Sequence, residues 1–244
     1  MQRLSAVIVC VFVAWSVFAA DAPPPPPPKQ WTSSFGAGVA VTSGNTDTKN
    51  VNVSLATKYD PKTKFIFKAD ALYLRGDANG VKQVDKATAD ARGEYSLSDR
   101  TFAFGEINYL RDPFKGVSYF VAPLAGAGYR IIKSDKENLT IDGAAGAEVE
   151  SVAGSGRTTS GALKAGEDFD IALSPVSKFT QKVSGIWKTK DFGDALYHFD
   201  AGFTTTVATR VELKLAYVYD YKTRPSLGAK KGDSALFIAL LFKF

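Results

Sequence analysis

Cysteine and histidine are nearly absent from this chain of 244 residues. The only cysteine is Cys10, which lies in the apolar N-terminal segment, and the only histidine is His198. Disulfide frameworks need several cysteines, and protein zinc sites are built mainly from these two residue types. The sequence therefore excludes disulfides and thiol chemistry downstream of that segment, and it predicts no metal site.

Long hydrophobic runs are also missing beyond the N-terminal segment. A helix that spans a bilayer needs about 18 or more apolar residues in succession, and no later stretch comes close. A helical membrane protein is therefore not expected. Membrane β-barrels escape this test, because only every second residue of their strands meets lipid.

Lys and Arg form no block, although the formal net charge is +5 and the isoelectric point is about 9.1. A nucleic-acid-binding surface needs basic residues gathered on one face. Here the basic residues alternate with acids along the chain, so nucleic acid is not a predicted partner.

Motifs for catalysis and cofactor binding are missing as well. The chain has no P-loop and no GxSxG sequence, so we expect no cofactor, no catalytic residues and no enzyme. Two alternatives stay open: His198 and Asp200 share a strand face and could form a hydrolase pair, and Asp168 with Asp170 could bind calcium. The simpler interpretation of all four side chains is that they line the inside of a barrel.

The N-terminal 30 residues predict export. Residues 1–20 are typical of a cleaved secretory signal peptide: Arg3 precedes an apolar stretch, and small residues favour cleavage after Ala19 or Ala20. The alternative is a retained anchor helix. Residues 21–30 contain six successive prolines, Pro23 to Pro28, and are predicted to form an extended periplasmic spacer or a partner site.

From Trp31 onward, apolar and polar residues alternate along the chain. Twelve segments place apolar and polar side chains on opposite faces, as strands do. An even number of strands, each long enough to cross the hydrocarbon, predicts an all-β fold for residues 31–244: a transmembrane antiparallel up-and-down β-barrel of about 12 strands. The last apolar strand resembles the C-terminal assembly signal of bacterial outer-membrane barrels, and its apolar face consists of Leu236, Ile238, Leu240, Phe242 and Phe244.

A soluble sandwich or lipocalin-like barrel is the alternative fold, with the charged face outside and the apolar face as the core. The connections favour the membrane barrel, because they alternate between tight turns and longer loops. The longer ones are predicted near residues 76–82, 111–116, 151–157, 190–195 and 222–232.

The polar face of the membrane barrel would line its lumen with charges of both signs. Such charges need partners or water, so the lumen is predicted to be either plugged by ion pairs or a narrow wet pore, and a count of twelve strands does not decide. The lumen-facing candidates are Lys64, Lys68, Asp70, Lys86, Asp90, Arg92, Glu94, Arg130, Asp142, Glu148, Lys164, Asp168, Asp170, His198, Asp200, Glu212, Lys214 and Asp220.

Three features fit the alternation poorly. The fifth segment, residues 101–110, carries apolar residues on both faces, so its phase is unclear. Pro123 falls within a strand and is expected to remove a ladder hydrogen bond or force a bulge. Glu167 and Gln181 fall on the lipid face, which predicts a register error or an interfacial depth.

The sequence also contains three short motifs: VTSGNT at residues 41–46, RDPFKG at 111–116 and GAGYR at 126–130. With these motifs, nearly the whole region from Trp31 to Phe244 resembles the salt-induced outer-membrane protein family. The resemblance implies a barrel in the Gram-negative outer membrane with no settled activity, and it supplies no catalytic residues.

The sequence thus predicts a non-enzymatic protein of the cell outer membrane, exported through the periplasm. Its predicted partners are the lipid bilayer, lipopolysaccharide and the barrel-assembly machinery. A narrow passive channel for small solutes is the first functional hypothesis, with a salt or envelope-stress role suggested by the family. A structural or adhesive barrel that binds a partner through outer loops is the alternative, and an outer-membrane hydrolase using His198 is the third.

Overall fold

The computed structural model describes residues 30–43, 48–78, 81–154, 156–225 and 228–244. The predicted signal peptide at 1–20 and all but the last residue of the predicted spacer at 21–30 lie outside these residues. A single turn of 3-10 helix occupies Pro113–Lys115. Among the described residues, no helix is long and apolar enough to span a membrane.

The described residues form twelve strands, as the alternation predicts. In chain order they are β1 (Trp31–Ser43), β2 (Thr48–Tyr59), β3 (Phe65–Ala78), β4 (Val81–Ser96), β5 (Thr101–Asp112), β6 (Val117–Lys133), β7 (Glu137–Val152), β8 (Gly156–Ser174), β9 (Ser177–Lys188), β10 (Asp191–Ala208), β11 (Val211–Lys222) and β12 (Gly232–Lys243).

Every strand pairs antiparallel with the next, and β12 returns to pair with β1, so the sheet closes. The closing ladder runs from Ser34 opposite Lys243 to Ser43 opposite Ser234. Beyond it, the Phe244 amide donates to the Ser33 carbonyl at 3.0 Å. Closure satisfies the backbone groups that an edge strand would leave exposed. The predicted fold class, an antiparallel up-and-down barrel of 12 strands, is confirmed.

The apolar face of each strand points outward. Exposed side chains such as Val39, Val51 and Ile238 cover the outer surface, whereas the charged face points into the barrel. The soluble alternative is therefore wrong, because it requires the reverse arrangement. Aromatic residues gather outside at both ends of the barrel: Trp31, Tyr59, Phe65 and Tyr95 lie toward the end where β1 begins and β12 ends, and Tyr73, Trp187, Tyr197 and Tyr219 lie toward the opposite end.

The structure explains each of the three irregular features. In β5 the even-numbered residues face inward, and Phe102 and Phe104 are buried there. Pro123 lies in β6 opposite Ile107 of β5, and the register with β7 is the same before and after it, so no bulge forms. Glu167 and Gln181 do face outward in regular register, and the Gln181 amide donates to the Glu167 carboxylate at 3.5 Å. Of the two predicted explanations, the register error is therefore wrong and the interfacial depth stays a prediction; the two polar groups are each other's partner.

Three of the five predicted long outer loops are mostly strand. β10 begins at Asp191 and β8 at Gly156, inside the segments predicted as loops, and only Thr189 and Lys190 separate β9 from β10. The polar residues of these segments pair in ladders that continue beyond the apolar band. The long connection predicted at residues 222–232 is present, because nine residues separate the end of β11 at Lys222 from the start of β12 at Gly232.

Candidate functional site in the barrel lumen

The lumen is lined by nearly all the charged residues predicted to face it. Pairs such as Lys68 with Arg92 and Asp70 with Asp90 lie opposite each other on the inward face of β3 and β4. The exception is Lys64, which lies in the turn before β3 and is exposed to solvent. The other predicted positions all lie on inward-facing sites: Lys68, Asp70, Lys86, Asp90, Arg92, Glu94, Arg130, Asp142, Glu148, Lys164, Asp168, Asp170, His198, Asp200, Glu212, Lys214 and Asp220.

Arg92 on β4 is the centre of the first ion-pair cluster. Its guanidinium contacts the carboxylates of Glu94 at 3.0 Å, Glu106 at 2.9 Å and Asp142 at 2.8 Å. Lys164 on β8 reaches the other oxygen of Glu106 at 2.5 Å. The cluster thus ties β4, β5, β7 and β8 together across the interior. Glu106 is not among the predicted lumen residues, because β5 lacks a clear phase in the sequence.

Two inward aromatic rings support the same cluster. The guanidinium carbon of Arg92 lies 3.6 Å from the centroid of Phe104, and that of Arg130 lies 4.6 Å from Phe102. These are cation–π distances. A Cβ added at Gly128 would enter the Phe102 ring, so this glycine of the GAGYR motif makes room for the aromatic side chain. These contacts explain the unclear phase of β5. Its inward face carries the apolar rings of Phe102 and Phe104, because these rings pack against the arginines.

Lys86 bridges the lumen farther out, in the half away from the termini. Its ammonium, carried on β4, binds the carboxylate of Asp220 on β11, and these strands lie on nearly opposite sides of the closed sheet. His198 Nδ1 lies 2.7 Å from the other Asp220 oxygen. Asp112 on β5 and Asp233 on β12 are close enough to interact with the Lys86 charge. His198 is therefore paired with its register partner Asp220, and not with Asp200 as the hydrolase alternative required.

A third cluster lies at the same end and joins β7, β9, β10 and β11. Lys188 Nζ contacts Glu150 at 2.7 Å, Asp194 at 2.6 Å and Glu148 at 3.4 Å, and Lys222 also binds Glu150. Four of these five residues are absent from the predicted lumen set. An inward position on a recognised strand is the signal that could have found Lys222 and Glu150.

Two apolar walls line the outer half of the lumen, which the sequence analysis did not predict. The first wall, on β1, β3, β4, β11 and β12, consists of Ala40, Leu72, Leu74, Val84, Ala216, Val218, Ala235 and Phe237. The second wall, on β5 to β10, consists of Leu110, Val117, Phe120, Ala122, Leu124, Ala144, Ala162, Ile186 and Leu196. The sequence feature that could have predicted these walls is the loss of alternation, as in the run from Ala235 to Phe242, where both faces of the strand are apolar.

A cavity of about 390 Å³ lies between these walls. It extends from Ser34 and Leu241, in the half near the termini, to Thr42 and Phe114 at the outer end. Among the described residues, β7 contributes none of its lining and β6 only Phe120. The cavity is therefore eccentric: its lining comes mainly from β1–β5 and β9–β12, and the side formed by β6–β8 contributes only Phe120 and Lys164 among the described residues.

The RDPFKG motif forms the outer rim of this cavity. Asp112 and Phe114 line it, and the chain turns through the 3-10 helix to Gly116, which has a φ of 73° and donates to the Pro113 carbonyl at 3.0 Å. Glycine adopts a positive φ without the steric cost that a Cβ imposes on other residues. The motif thus fixes an acid and an aromatic ring at the cavity mouth.

The lumen offers no metal centre within the residues that the structure describes, since no three His, Cys, Asp or Glu side chains there converge in a way that could hold an ion. Asp168 and Asp170, the calcium candidates, have other partners. Asp168 faces the Lys182 ammonium, and the Asp170 carboxylate accepts from the Asn138 amide at 3.0 Å.

Solved structures with a similar fold are outer-membrane barrels. The chain superposes on a NanC porin structure with a TM-score of 0.59 and 8% identity, covering 86% of this chain and all of that one. It superposes on the COG4313 outer membrane channel from Pseudomonas putida F1 with a TM-score of 0.55 and 12% identity, covering 89% of this chain and 96% of that one. At these identities the likeness concerns the fold.

Sequence comparison gives the family. The uncharacterized protein YdiY of Escherichia coli strain K12 is 22% identical over 213 residues, which is 86% of this chain and 81% of YdiY. The model of a protein family of unknown function, DUF481, matches residues 35–244. The resemblance predicted from the three motifs is thereby confirmed, and the chain belongs to the DUF481 family.

Proposed function

We propose that this protein is an integral outer-membrane barrel that acts as a narrow passive channel for small solutes, and that it is not an enzyme. The observation that carries the proposal is the eccentric cavity of about 390 Å³, which runs along the lumen beside the Arg92 cluster. In a fully plugged barrel, ion pairs and packed side chains would fill the whole cross-section of the lumen. Here they fill one side of the lumen, and the other side is open.

The outer surface supports the membrane location. Apolar side chains form the outward band, and aromatic residues lie at both of its ends, where membrane barrels place them against the lipid headgroups. Trp187 donates from its indole nitrogen to the Tyr197 hydroxyl at 3.1 Å, so this part of the belt is held in place. Bilayer lipid and lipopolysaccharide are accordingly the proposed partners of this face, after export and removal of the signal peptide.

The outward face of β12 suits the proposed assembly signal. Leu236, Ile238 and Leu240 are each about half exposed, and Phe242 and Phe244 continue the same row. Such a row is accessible to the assembly machinery while the strand is added to the sheet. We propose that this machinery recognises it.

The channel is tested by recording currents from the purified mature protein in planar bilayers. We expect discrete conductance steps smaller than those of barrels with about 16–18 strands, which enclose open aqueous channels. Lys86→Met removes the bridge to Asp220 across the lumen, so its steps are expected to be larger. Lys136→Met, in the exposed turn between β6 and β7, is the matched control and is expected to leave the steps unchanged. A flat trace at high salt from folded, heat-modifiable protein would contradict the proposal.

The other two hypotheses have less support in the geometry. Apart from the nine residues between β11 and β12, the connections at the outer end have two to four residues, which leaves an adhesive barrel little surface for a partner. His198 shares its carboxylate partner with Lys86, and a lysine on the same carboxylate weakens the orienting role that a hydrolase aspartate would have. Induction by salt is implied by the family resemblance alone and stays a prediction.

A further inference from the structure

We propose that the outer surface of the barrel carries a binding site for the phosphate groups of lipopolysaccharide, formed by Lys82 and Arg111 with Arg75 beside them. The inference rests on the proposed outer-membrane location, and it names the residues and the headgroup chemistry through which the protein would hold that lipid. The site is a charged patch on β3, β4 and β5 that faces away from the lumen, so the proposed channel makes no use of it.

Asp85 on β4 assembles this patch. It is only 5% exposed, because three side chains cover its carboxylate. One oxygen accepts from the Tyr73 hydroxyl at 3.1 Å and lies 3.0 Å from Arg111 Nη1, and the other accepts from Lys82 Nζ at 2.9 Å. The shared carboxylate therefore holds a guanidinium and an ammonium side by side at the surface.

The patch lies on the outward face of the sheet. On β4, Lys86 points into the lumen, so Asp85 and Ala87 on either side of it point outward. Arg75 on β3 is the register partner of Asp85, and Arg111 on β5 is the register partner of Ala87. Both arginines therefore share the face that the proposed function turns toward lipid.

The cations begin where the apolar band ends. Tyr73 belongs to the aromatic belt at the outer end of the barrel, and Arg75 follows it by two residues toward that end. Arg111 likewise follows Tyr109, another outward-facing residue, by two. Tyrosine rings of membrane proteins mark the level of the lipid headgroups, so the patch lies at the depth where lipid phosphates are found.

Positive charge exceeds negative charge in this patch. Arg75 reaches Asp77 through Nε, and Arg111 reaches Asp85 through Nη1. Among the described residues these are the only carboxylates that the two guanidinium groups contact, so their other donors are available to an acceptor from the membrane. The described outward charges at this end of β2 to β5 have a surplus of two positive charges, and they are Lys49, Arg75, Lys82, Arg111, Asp77 and Asp85.

Phosphate is the acceptor that fits these donors. Its oxygens match the planar fork of a guanidinium and attract the charge of an ammonium. Arg75 and Arg111 lie two strands apart, which corresponds to about 10 Å, so the patch offers a guanidinium at each edge. Lipopolysaccharide carries phosphates at both ends of the disaccharide in its membrane anchor, lipid A, whereas an ordinary phospholipid carries one, and the extended patch favours the first.

Native mass spectrometry of the purified mature protein tests the ligand without relying on conduction. The protein in a neutral detergent, free of divalent cations, is titrated with bisphosphorylated lipid A, with the same lipid after removal of both phosphates, and with phosphatidylglycerol. The bisphosphorylated lipid is expected to bind about tenfold more tightly than either of the others. Equal binding of the dephosphorylated lipid, or equal binding of phosphatidylglycerol, would overturn the assignment to lipopolysaccharide.

Variants test the site. The double variant Lys82→Met and Arg111→Met is expected to weaken binding of bisphosphorylated lipid A about tenfold. Adding Asp85→Asn removes the carboxylate that these changes leave uncompensated, and the triple variant is still expected to bind about fivefold more weakly than the wild type. Wild-type affinity in the triple variant would show that the two cations serve only to neutralise Asp85, and would overturn the inference.

The matched control removes the same two charges at the opposite end of the barrel. Lys136→Met with Arg210→Met changes two exposed residues in turns and is expected to leave lipid A binding unchanged. An equal loss in this control would mean that net charge, and not the patch, attracts the lipid. Each variant is first shown to be folded by its heat-modifiable migration on a gel.

Conductance in planar bilayers separates failure of this inference from failure of the channel. Because the patch faces away from the lumen, the triple variant is expected to keep the conductance steps of the wild type. Normal steps from a protein without preference for the phosphorylated lipid would leave the channel standing and overturn the site. A clear preference for that lipid in a barrel that carries no current would support the site and contradict the channel.

Discussion

Arg92 shows how a single side chain can organise the inside of a barrel. A guanidinium has five donors in a rigid planar fork and stacks on aromatic faces, and Arg92 uses both properties, contacting three carboxylates and the Phe104 ring. A lysine in its place would have one charged centre on a flexible chain. The acids around Arg92 therefore depend on its shape as well as on its charge.

Arg92→Met is expected to destabilise the barrel by about 3 kcal/mol, because removing one partner leaves buried carboxylates without compensation. The loss of compensation would be largest for the Asp142 carboxylate, since one of its oxygens has no hydrogen-bond partner even in the intact cluster. Urea unfolding of the purified protein in lipid or detergent measures the change. Arg92→Lys should fall between the wild type and Arg92→Met.

Arg157, exposed near the start of β8, provides the control for this prediction. Its replacement by Met is expected to change the free energy of unfolding by no more than about 0.5 kcal/mol. Equal stability of the Arg92 and Arg157 variants would mean that water, and not the arginine, compensates the acids.

At the scale of single strands, the seam between β1 and β12 depends on glycine. A Cβ built on Gly38 would fall well inside van der Waals contact of the Ile238 carbonyl oxygen and the Ala239 Cα. Both obstacles are backbone atoms of β12, so neither can rotate away. The close approach of these two strands therefore requires a residue without a side chain at position 38.

Gly38→Ala is expected to cost about 1–3 kcal/mol, as overpacking does elsewhere, and to lower the yield of barrel that refolds into detergent. The fraction of unboiled protein that migrates as the compact species on a gel reports this yield. Gly105→Ala is the matched control, because nothing lies within 4 Å of a Cβ added there. A normal refolding yield for Gly38→Ala would show that the seam can shift to accept a methyl group.

The strands could be predicted from sequence because a period of two survives wherever one face meets apolar surroundings and the other meets charge. β4 fits this rule, and the facing of its side chains from Lys86 to Ser96 agrees with the alternation, although the strand begins earlier, at Val81. The prediction fails where the lumen itself turns apolar. Phe102 on β5 and Phe237 on β12 face inward, so both faces of their strands are apolar and the phase is lost.

The partners of the lumen charges could not be predicted from the sequence, for a different reason. The alternation assigns Lys86 and Asp220 to the same interior but says nothing of contacts across it. Their meeting depends on the closure of the sheet, which brings β4 and β11 to nearly opposite walls. The eccentric cavity is a further consequence of this closure, and no local pattern encodes it.

At the scale of the whole molecule, the lining of the cavity has a surplus of acid. Among the described residues, six aspartates and four lysines line it: Asp70, Asp90, Asp112, Asp200, Asp220, Asp233, Lys86, Lys164, Lys182 and Lys214. The chain as a whole has a formal net charge of +5, so the path differs in sign from the protein that encloses it.

We therefore expect the channel to prefer potassium over chloride, since a narrow path lined by a charge surplus favours counter-ions. The reversal potential in a KCl gradient measures this preference. The double variant Asp70→Asn and Asp200→Asn, which balances the lining charges, should bring the permeability ratio close to one. Asp135→Asn, in the turn between β6 and β7, should leave it unchanged, and an anion-selective wild type would contradict the prediction.

The ten residue pairs that join β1 to β12 are the farthest apart in the chain of any neighbouring strands. The first strand therefore gains its second neighbour only after eleven others have been made. Until then we expect something other than this chain to shield that flank, whether a chaperone or a strand of an insertion factor. Biogenesis of this protein is accordingly expected to end in an exchange, in which the final hairpin displaces a temporary occupant from β1.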